Sequence, residues 1–453
     1  MPIREVLGSD TPNDGRLVWN ANDLELEARI NAFGLNVKAS PFHATGNGEQ
    51  DDRPAIQSAM DACFENGGGY VFLPAGNYLL ASGGLLLRDH VNLIGAGTYN
   101  TTLRLGDGVN QAVLRDEVAG REGGYAFGQI HLSRFGIDGN RENNPDGKEG
   151  IFTSAYFSVF DALYIRECQT HGIRIGYAGM ANAASQNRLS GCRIVGCTRA
   201  GAYLDINAID MSIAENFIYD CDYGVVICNG GVRVVNNVIF SHLSAGIQVR
   251  QTAYDVVIAA NDLNGTRRHA IHVTRTTTAT PRPWSQILIT SNSILGDQLE
   301  ADNLYDGIYV ETSIPSGISK LTISSNKIFT LEDSFHFRYG VNLESNVKDS
   351  KCVANHVQDA TTANYFVGES CTGIEIDSLG GGALENPPIP ASGSTLVNPF
   401  HAPVTIYVSG AGVRSVSVDG LDTHLTSGCF RLRPGQAIRL TYSEPPEWAW
   451  FAD

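Results

Sequence analysis

The 453-residue chain sets 32 Lys and Arg against 48 Asp and Glu, a formal charge of −16 with a pI near 5.1. That balance argues against nucleic acid as a partner and, less strongly, against a highly anionic polymer, which a local basic groove would override. No run approaches the ~18 apolar residues of a membrane helix, so no membrane partner is expected, and 49 glycines suit a turn-rich β chain.

Residues 1–35 read as a lead-in segment, with Asn22 or Asp23 capping a short helix that carries Leu24, Leu26, Ala28 and Ile30. Its start, MPIREVLGSDTPNDGR, lacks the apolar region of a signal peptide. An extracellular or virion-associated protein is expected, reaching its place by another route or as part of a particle such as a phage tail. From residue 36 a strand and an HATGNG turn precede a helix near 52–65, with Asp51 or Asp52 as cap and Pro54 in its first turn. Ile56, Met60 and Cys63 or Phe64 supply its apolar face, Gly67, Gly68 and Gly69 end it, and YVFLPAGNYLL restarts β structure. Such a helix lids the open end of a strand stack.

The run GNGEQDD, AIQSAMDAC, GGGYVFLPAGNY, with RFGIDGNREN at 134–143, resembles the pectate-lyase-like superfamily, related to family 28 glycoside hydrolases. Phage tailspike depolymerases, alginate epimerases and exo-glycanases share this segment. The resemblance covers residues 36–145 and implies the fold and a carbohydrate substrate more strongly than any reaction. The motifs of its well-defined members are missing: the NTD, DD and GHG set with RIK, the DPH of alginate epimerases, and the RxPxxR of pectate lyases. Catalytic residues therefore cannot be carried over, and Asp51 and Asp52 are read as caps.

From about Gln186 to Val357 one unit recurs every ~20–35 residues. An alternating run leads to an Asn (Asn216, Asn237, Asn261, Asn292, Asn326, Asn355), then a β-branched run, a polar turn and a Gly. The Gly falls at Gly172, Gly201, Gly224, Gly246, Gly307 and Gly340, with Ala270 standing in once. Strand-only repeats of this length predict a right-handed parallel β-helix over 36–378, in which the Asn amides stack at a corner and adopt its left-handed geometry. Nine cysteines without a CxxC pair include Cys168, Cys197 and Cys221, each just before a repeat Gly, which predicts stacked buried thiols. Residues 379–394 read as a Gly/Pro linker and 395–453 as a small β-sandwich, with Trp448 and Trp450 as core or subunit contact.

After each Gly the second and fourth residues point outward. One column is then Arg174, Tyr203, Val226, Gln248, His272, Tyr309, Asn342, and the other Asp205, Cys228, Arg250, Thr274, Glu311, Glu344. Insertions at 275–285, 297–306 and 330–338 rise beside this face and make it a cleft for a polymer. An enzyme that cleaves glycosidic bonds of an extracellular polysaccharide, by hydrolysis or intramolecular glycosyl transfer, is expected here, and that chemistry needs a proton donor and a second carboxylate. Glu311 and Glu344, one coil apart, are the candidate pair, their mutual repulsion raising one pKa; Asp205 and His272 complete the catalytic candidates. The bland alternative is an exposed ladder neutralised by Arg250 or Arg275. Arg250, Tyr309, Tyr203, Gln248, Arg174 and Asn342 are candidates for substrate contact. A lyase working on a uronate with a His, Tyr, Lys or Arg base is the competing class, and a glycan-binding tailspike or adhesin the third. The face carries no Asp cluster typical of calcium sites, and no cofactor or metal is expected. The tailspike resemblance implies a homotrimer.

Overall fold

The structure, a computed structural model, describes residues 34–117, 127–180, 182–250, 253–275, 286–376 and 382–452. The lead-in helix, nearly all of segment 1–35 and most of the 275–285 insertion lie outside the described residues. Two compact units meet in sequence at Ile239 and Phe240.

In the first unit the strands run in a three-step cycle, for example Val159–Asp161, Tyr164–Arg166 and Ile173–Ile175, then Arg188–Ser190, Arg193–Val195 and Ala200–Leu204. Each strand pairs in parallel with its counterpart one cycle on: Phe160 faces Leu189, Ile165 faces Ile194, and Ile173 faces Ala202. Period-2 alternation sends Phe160, Ile165, Ile173 and their equivalents into a dry core. The second unit repeats the cycle, with Ile287–Thr290, Ser293–Leu295 and Ile308–Thr312 paired to Leu321–Ser324, Lys327–Phe329 and Tyr339–Leu343. The fold is a right-handed parallel β-helix, the hand that parallel crossovers adopt.

The Asn ladder forms as expected, with one correction. Asn292 Nδ2 donates to Asn326 Oδ1 (2.9 Å) and to the Ile258 carbonyl (3.0 Å), and Asn261 Nδ2 donates to Asn292 Oδ1 in turn. The left-handed residue at this corner is the one before the Asn: Glu215, Ala260, Ser291, Ser325 and Ala354 all have φ between 55° and 60°. The corner turns one residue earlier, and the Asn carries the side-chain bonds along the stack. The repeat glycines answer to space. A Cβ on Gly307 would stand 2.6 Å from Ile328 Cγ2, and one on Gly201 2.3 Å from Ile218 Cγ2. Cys168, Cys197 and Cys221 are buried free thiols, and thiol–thiol contact with burial pushes Cys197 and Cys221 well up, keeping them protonated.

The helix Arg53–Glu65 buries Ile56, Met60 and Cys63, while Phe64 stays exposed. Asp52 holds the N-cap position, yet its carboxylate makes no cap hydrogen bond. It accepts instead from the Thr45 and Gly46 N–H groups (2.6 and 2.9 Å), tying the preceding turn to the helix. Asp51 is the residue that accepts from the Arg53 N–H (3.2 Å). At the end of the second unit, two four-stranded antiparallel sheets enclose Val404, Ile406, Phe430, Leu440, Trp448 and Trp450. The tryptophans are core, at 5.4 Å edge to face. Gly382–Ala383, within the stretch read as a linker, pairs with Phe451 and Ala452.

Candidate active site

In the second unit the third strands of the cycle, Ala245–Val249, His269–Arg275, Ile308–Thr312 and Tyr339–Leu343, lie side by side. Their registers put Gln248 beside His272, His272 beside Tyr309 and Tyr309 beside Asn342, one outward column. Thr274 lies beside Glu311 in the second column, and the Glu344 N–H donates to the Val310 carbonyl (2.9 Å), which brings Glu344 next along. Although these residues point away from the helix core, Gln248, Thr274 and Asn342 are buried by their neighbours.

A chain of polar contacts runs along the column. Arg250 Nη1 donates to Gln248 Oε1 (3.3 Å), which turns the Gln248 amide nitrogen toward His272 Nδ1 at 3.4 Å. His272 Nε2 donates to Glu311 Oε1 (3.1 Å), and the Tyr309 hydroxyl donates to Glu311 Oε2 (3.2 Å). Glu311 thus fixes the imidazole with its proton on Nε2 and leaves Nδ1 as the basic nitrogen. The hydrogen bond from His272 holds the Glu311 carboxyl below its usual range. Repulsion from Glu344 therefore does not make Glu311 the proton-bearing acid, because the donors His272 and Tyr309 stabilise its charged form against the opposing effect of burial. Burial, with the charges of Glu311 and Glu344, raises the Tyr309 phenol, which stays protonated. Its ring stacks on His269 (4.5 Å) and His272 (5.2 Å), so the hydroxyl is its polar end.

Three residues that the alternation did not flag support this column. Asp306 is fully buried and accepts from Arg338 Nε and Nη2 (3.1 and 2.8 Å), from the Tyr339 N–H and from Asn342 Nδ2 (2.9 Å). Asn342 Nδ2 also donates to Glu344 Oε2 (3.0 Å), spacing the two carboxylates. His269 Nδ1 accepts from the Asp306 N–H (3.1 Å), and burial lowers its pKa to about 3, so it is neutral. His269 and Asp306 each stand one residue before the repeat Gly position, and Arg338 two before Gly340. Ionisable residues at that corner were the available signal. Arg275 turns away from the carboxylates, donating to the Gly317 carbonyl (3.0 Å).

Arg174, Tyr203 and Asp205 belong to the first unit. Arg174 Nη2 meets Asp205 Oδ2 at 2.6 Å and Nη1 meets Glu149 Oε1 at 3.6 Å, while its guanidinium lies over Phe152 (4.8 Å) and Tyr203 (5.8 Å). His171 stacks on Tyr203 at 4.4 Å. Asp205 is the ion-pair partner of Arg174 in this arrangement. Among the described residues no group of three or more His, Cys, Asp or Glu is disposed to hold a metal ion.

The family model for rhamnogalacturonase A/epimerase, pectate lyase-like, matches residues 35–309. The mannuronan C5-epimerase AlgE5 of Azotobacter vinelandii is 28% identical over 245 residues, 49% of this chain and 23% of its own length. Alginate lyase 7 of the same organism is 35% identical over 127 residues, 26% of this chain and 14% of its own. The chain thus spans less than a quarter of the length of these relatives. Among solved structures, the AlgE6 epimerase A-module of Azotobacter vinelandii is similar at a TM-score of 0.58 and 21% identity, over 76% of this chain and 99% of that one. The Dettilon tailspike protein is similar at 0.55 and 15%, over 98% of this chain and 96% of that one. Both are likenesses of fold.

Proposed function

The chain belongs to the rhamnogalacturonase A/epimerase, pectate-lyase-like family, and from that premise we propose that it abstracts the C5 proton of a uronate residue in a polysaccharide. The observation that carries this is the His272–Glu311–Tyr309 arrangement, with His272 Nδ1 turned toward Gln248. The proton next to a carboxylate becomes removable once the carboxylate's charge is neutralised; Gln248 and Arg250 supply an amide and a guanidinium for that. Once the Gln248 amide has passed from His272 Nδ1 to the substrate carboxylate, Nδ1 takes the proton, and the imidazolium formed is stabilised by Glu311, an orienting carboxylate. The electrons of the broken C5–H bond form a C4–C5 double bond as the C4–O4 bond breaks, and the Tyr309 hydroxyl protonates O4. If a proton returns to C5 from the opposite face instead, the product is the epimer. Names of relatives point the same way, toward mannuronan and alginate. The Asp-Pro-His motif is absent, so acid and base are drawn from this chain's own ladder.

Hydrolysis by Glu311 and Glu344 is the second reading, favoured by their adjacency along the column and opposed by the lowered Glu311 carboxyl. Incubation with polymannuronate and polygalacturonate in D2O separates the readings. Deuterium at C5 or an unsaturated, ultraviolet-absorbing end is expected. Tyr309→Phe should cut chain cleavage by about 10²–10⁴-fold, the usual worth of a positioned proton donor, while C5 exchange persists. New reducing ends with neither deuterium nor unsaturation would instead establish a hydrolase.

A further inference from the structure

The second strands of the cycle carry a surface with no part in the chemistry above. In the first unit Tyr164, Arg193 and Phe217 stand in register on three successive strands, Tyr164–Arg166, Arg193–Val195 and Phe217–Tyr219. Tyr219 lies two residues along from Phe217 on the same face, and Tyr99 reaches in from the turn before Thr101. Phe217 is 53% exposed and Tyr99 66%, an unusual outlay of aromatic area on an open strand face.

The rings are organised around one cation. The Arg193 guanidinium lies over Tyr219 (5.0 Å) and Tyr164 (5.9 Å), and its Nε donates to the Tyr219 hydroxyl (2.7 Å). Tyr99 packs against Tyr164 at 5.3 Å. The ion pairs among the described residues include Arg166 with Asp138 (2.8 Å) but none at Arg193. Phenol oxygens orient the Arg193 charge without neutralising it, in a chain whose formal balance is −16. Beside it lies a shallow cavity of about 290 Å³ lined by Thr98, Tyr99, Arg193 and Phe217.

We infer that this face is a second, non-catalytic binding surface for the same anionic polysaccharide, with Tyr99 and Phe217 stacking sugar rings and Arg193 holding a carboxylate between them. The inference rests on the uronate reading above. Pyranose C–H faces suit exposed aromatic rings, and a cation already fixed by two phenols loses little freedom on meeting a carboxylate. A second copy of this chain is the rival occupant, but it would leave the oriented charge of Arg193 uncompensated unless it brought a carboxylate of its own.

The test compares wild type with Arg193→Gln, Tyr99→Ala and Phe217→Ala, singly and together, all at exposed positions. Affinity electrophoresis through polymannuronate is expected to show about three- to ten-fold weaker binding per substitution, the equilibrium equivalent of one aromatic or cation–π contact. Turnover of a uronate tetrasaccharide and the melting temperature should not change. Wild-type affinity in the triple variant, with wild-type turnover intact, overturns the surface while leaving the catalytic reading untouched. A drop in oligomeric mass by light scattering without loss of polymer binding overturns it in favour of a subunit interface. No binding and no turnover of any uronate polymer by wild type sinks both readings together.

Discussion

At the scale of single residues, His269 shows how the fold governs a charge. It sits behind the ring of Tyr309, its Nδ1 occupied by the Asp306 N–H, and burial drives its pKa from 6.5 to about 3. In the unfolded chain it titrates normally, so between those values the unfolded state binds one proton more than the folded state. Stability from keeping His269 neutral is therefore complete above pH 6.5 and lost progressively as pH falls toward about 3. Each pH unit in that window costs on the order of 1 kcal/mol through this group. His269→Gln keeps an acceptor for the Asp306 N–H and removes the titration. Its melting temperature should match or fall below wild type at pH 7.5 and decline less steeply toward pH 4. Parallel declines in the two proteins would mean that the imidazole is protonated in place.

At the scale of elements, the corner ladder is the part of the fold with most to lose from one atom. Asn292 is buried, gives both amide hydrogens to carbonyl oxygens, and accepts from the Asn261 backbone N–H (3.0 Å) and from its amide. Asn292→Ala leaves those partners buried without a mate, and unmade buried hydrogen bonds cost about 1–3 kcal/mol each before relaxation. A fall of several degrees in melting temperature is expected, with polysaccharide turnover kept in the protein that remains folded; an unchanged melting temperature would show that the stack is dispensable. This ladder and the strand registers were legible in the sequence because an Asn at a fixed place in each repeat, and a Gly with room for no Cβ, pin the frame from which inward and outward positions are counted. Which outward groups bond to each other was not legible. Glu311 meets His272 on the diagonal between neighbouring strands, a contact that register alone does not assign, and Asp306 and Arg338 enter from the corner, where alternation assigns no direction. Asp52 misled for a related reason: its position is that of a cap, while its carboxylate is drawn to the N–H groups of Thr45 and Gly46.

At the scale of the whole molecule, the excess of 48 acidic over 32 basic side chains stands against a polyanionic substrate, and ionic strength separates the distant repulsion from the local attraction. The Debye length shrinks from about 30 Å at 0.01 M salt to about 8 Å at 0.15 M. Repulsion by acidic groups far from the site is felt at the lower value and screened at the higher one. The contacts proposed for Arg250 and Gln248 act over a few ångströms in a half-buried setting and are expected to survive that change. The apparent KM for a uronate polymer is therefore expected to fall as salt rises through this range, with kcat constant, and to climb again only at higher salt, where the direct charge contacts weaken. A neutral glycan would give a flat curve. A KM that climbed from the lowest salt upward would mean that a positive local field dominates encounter at all distances, and the net charge would then carry no information about the substrate.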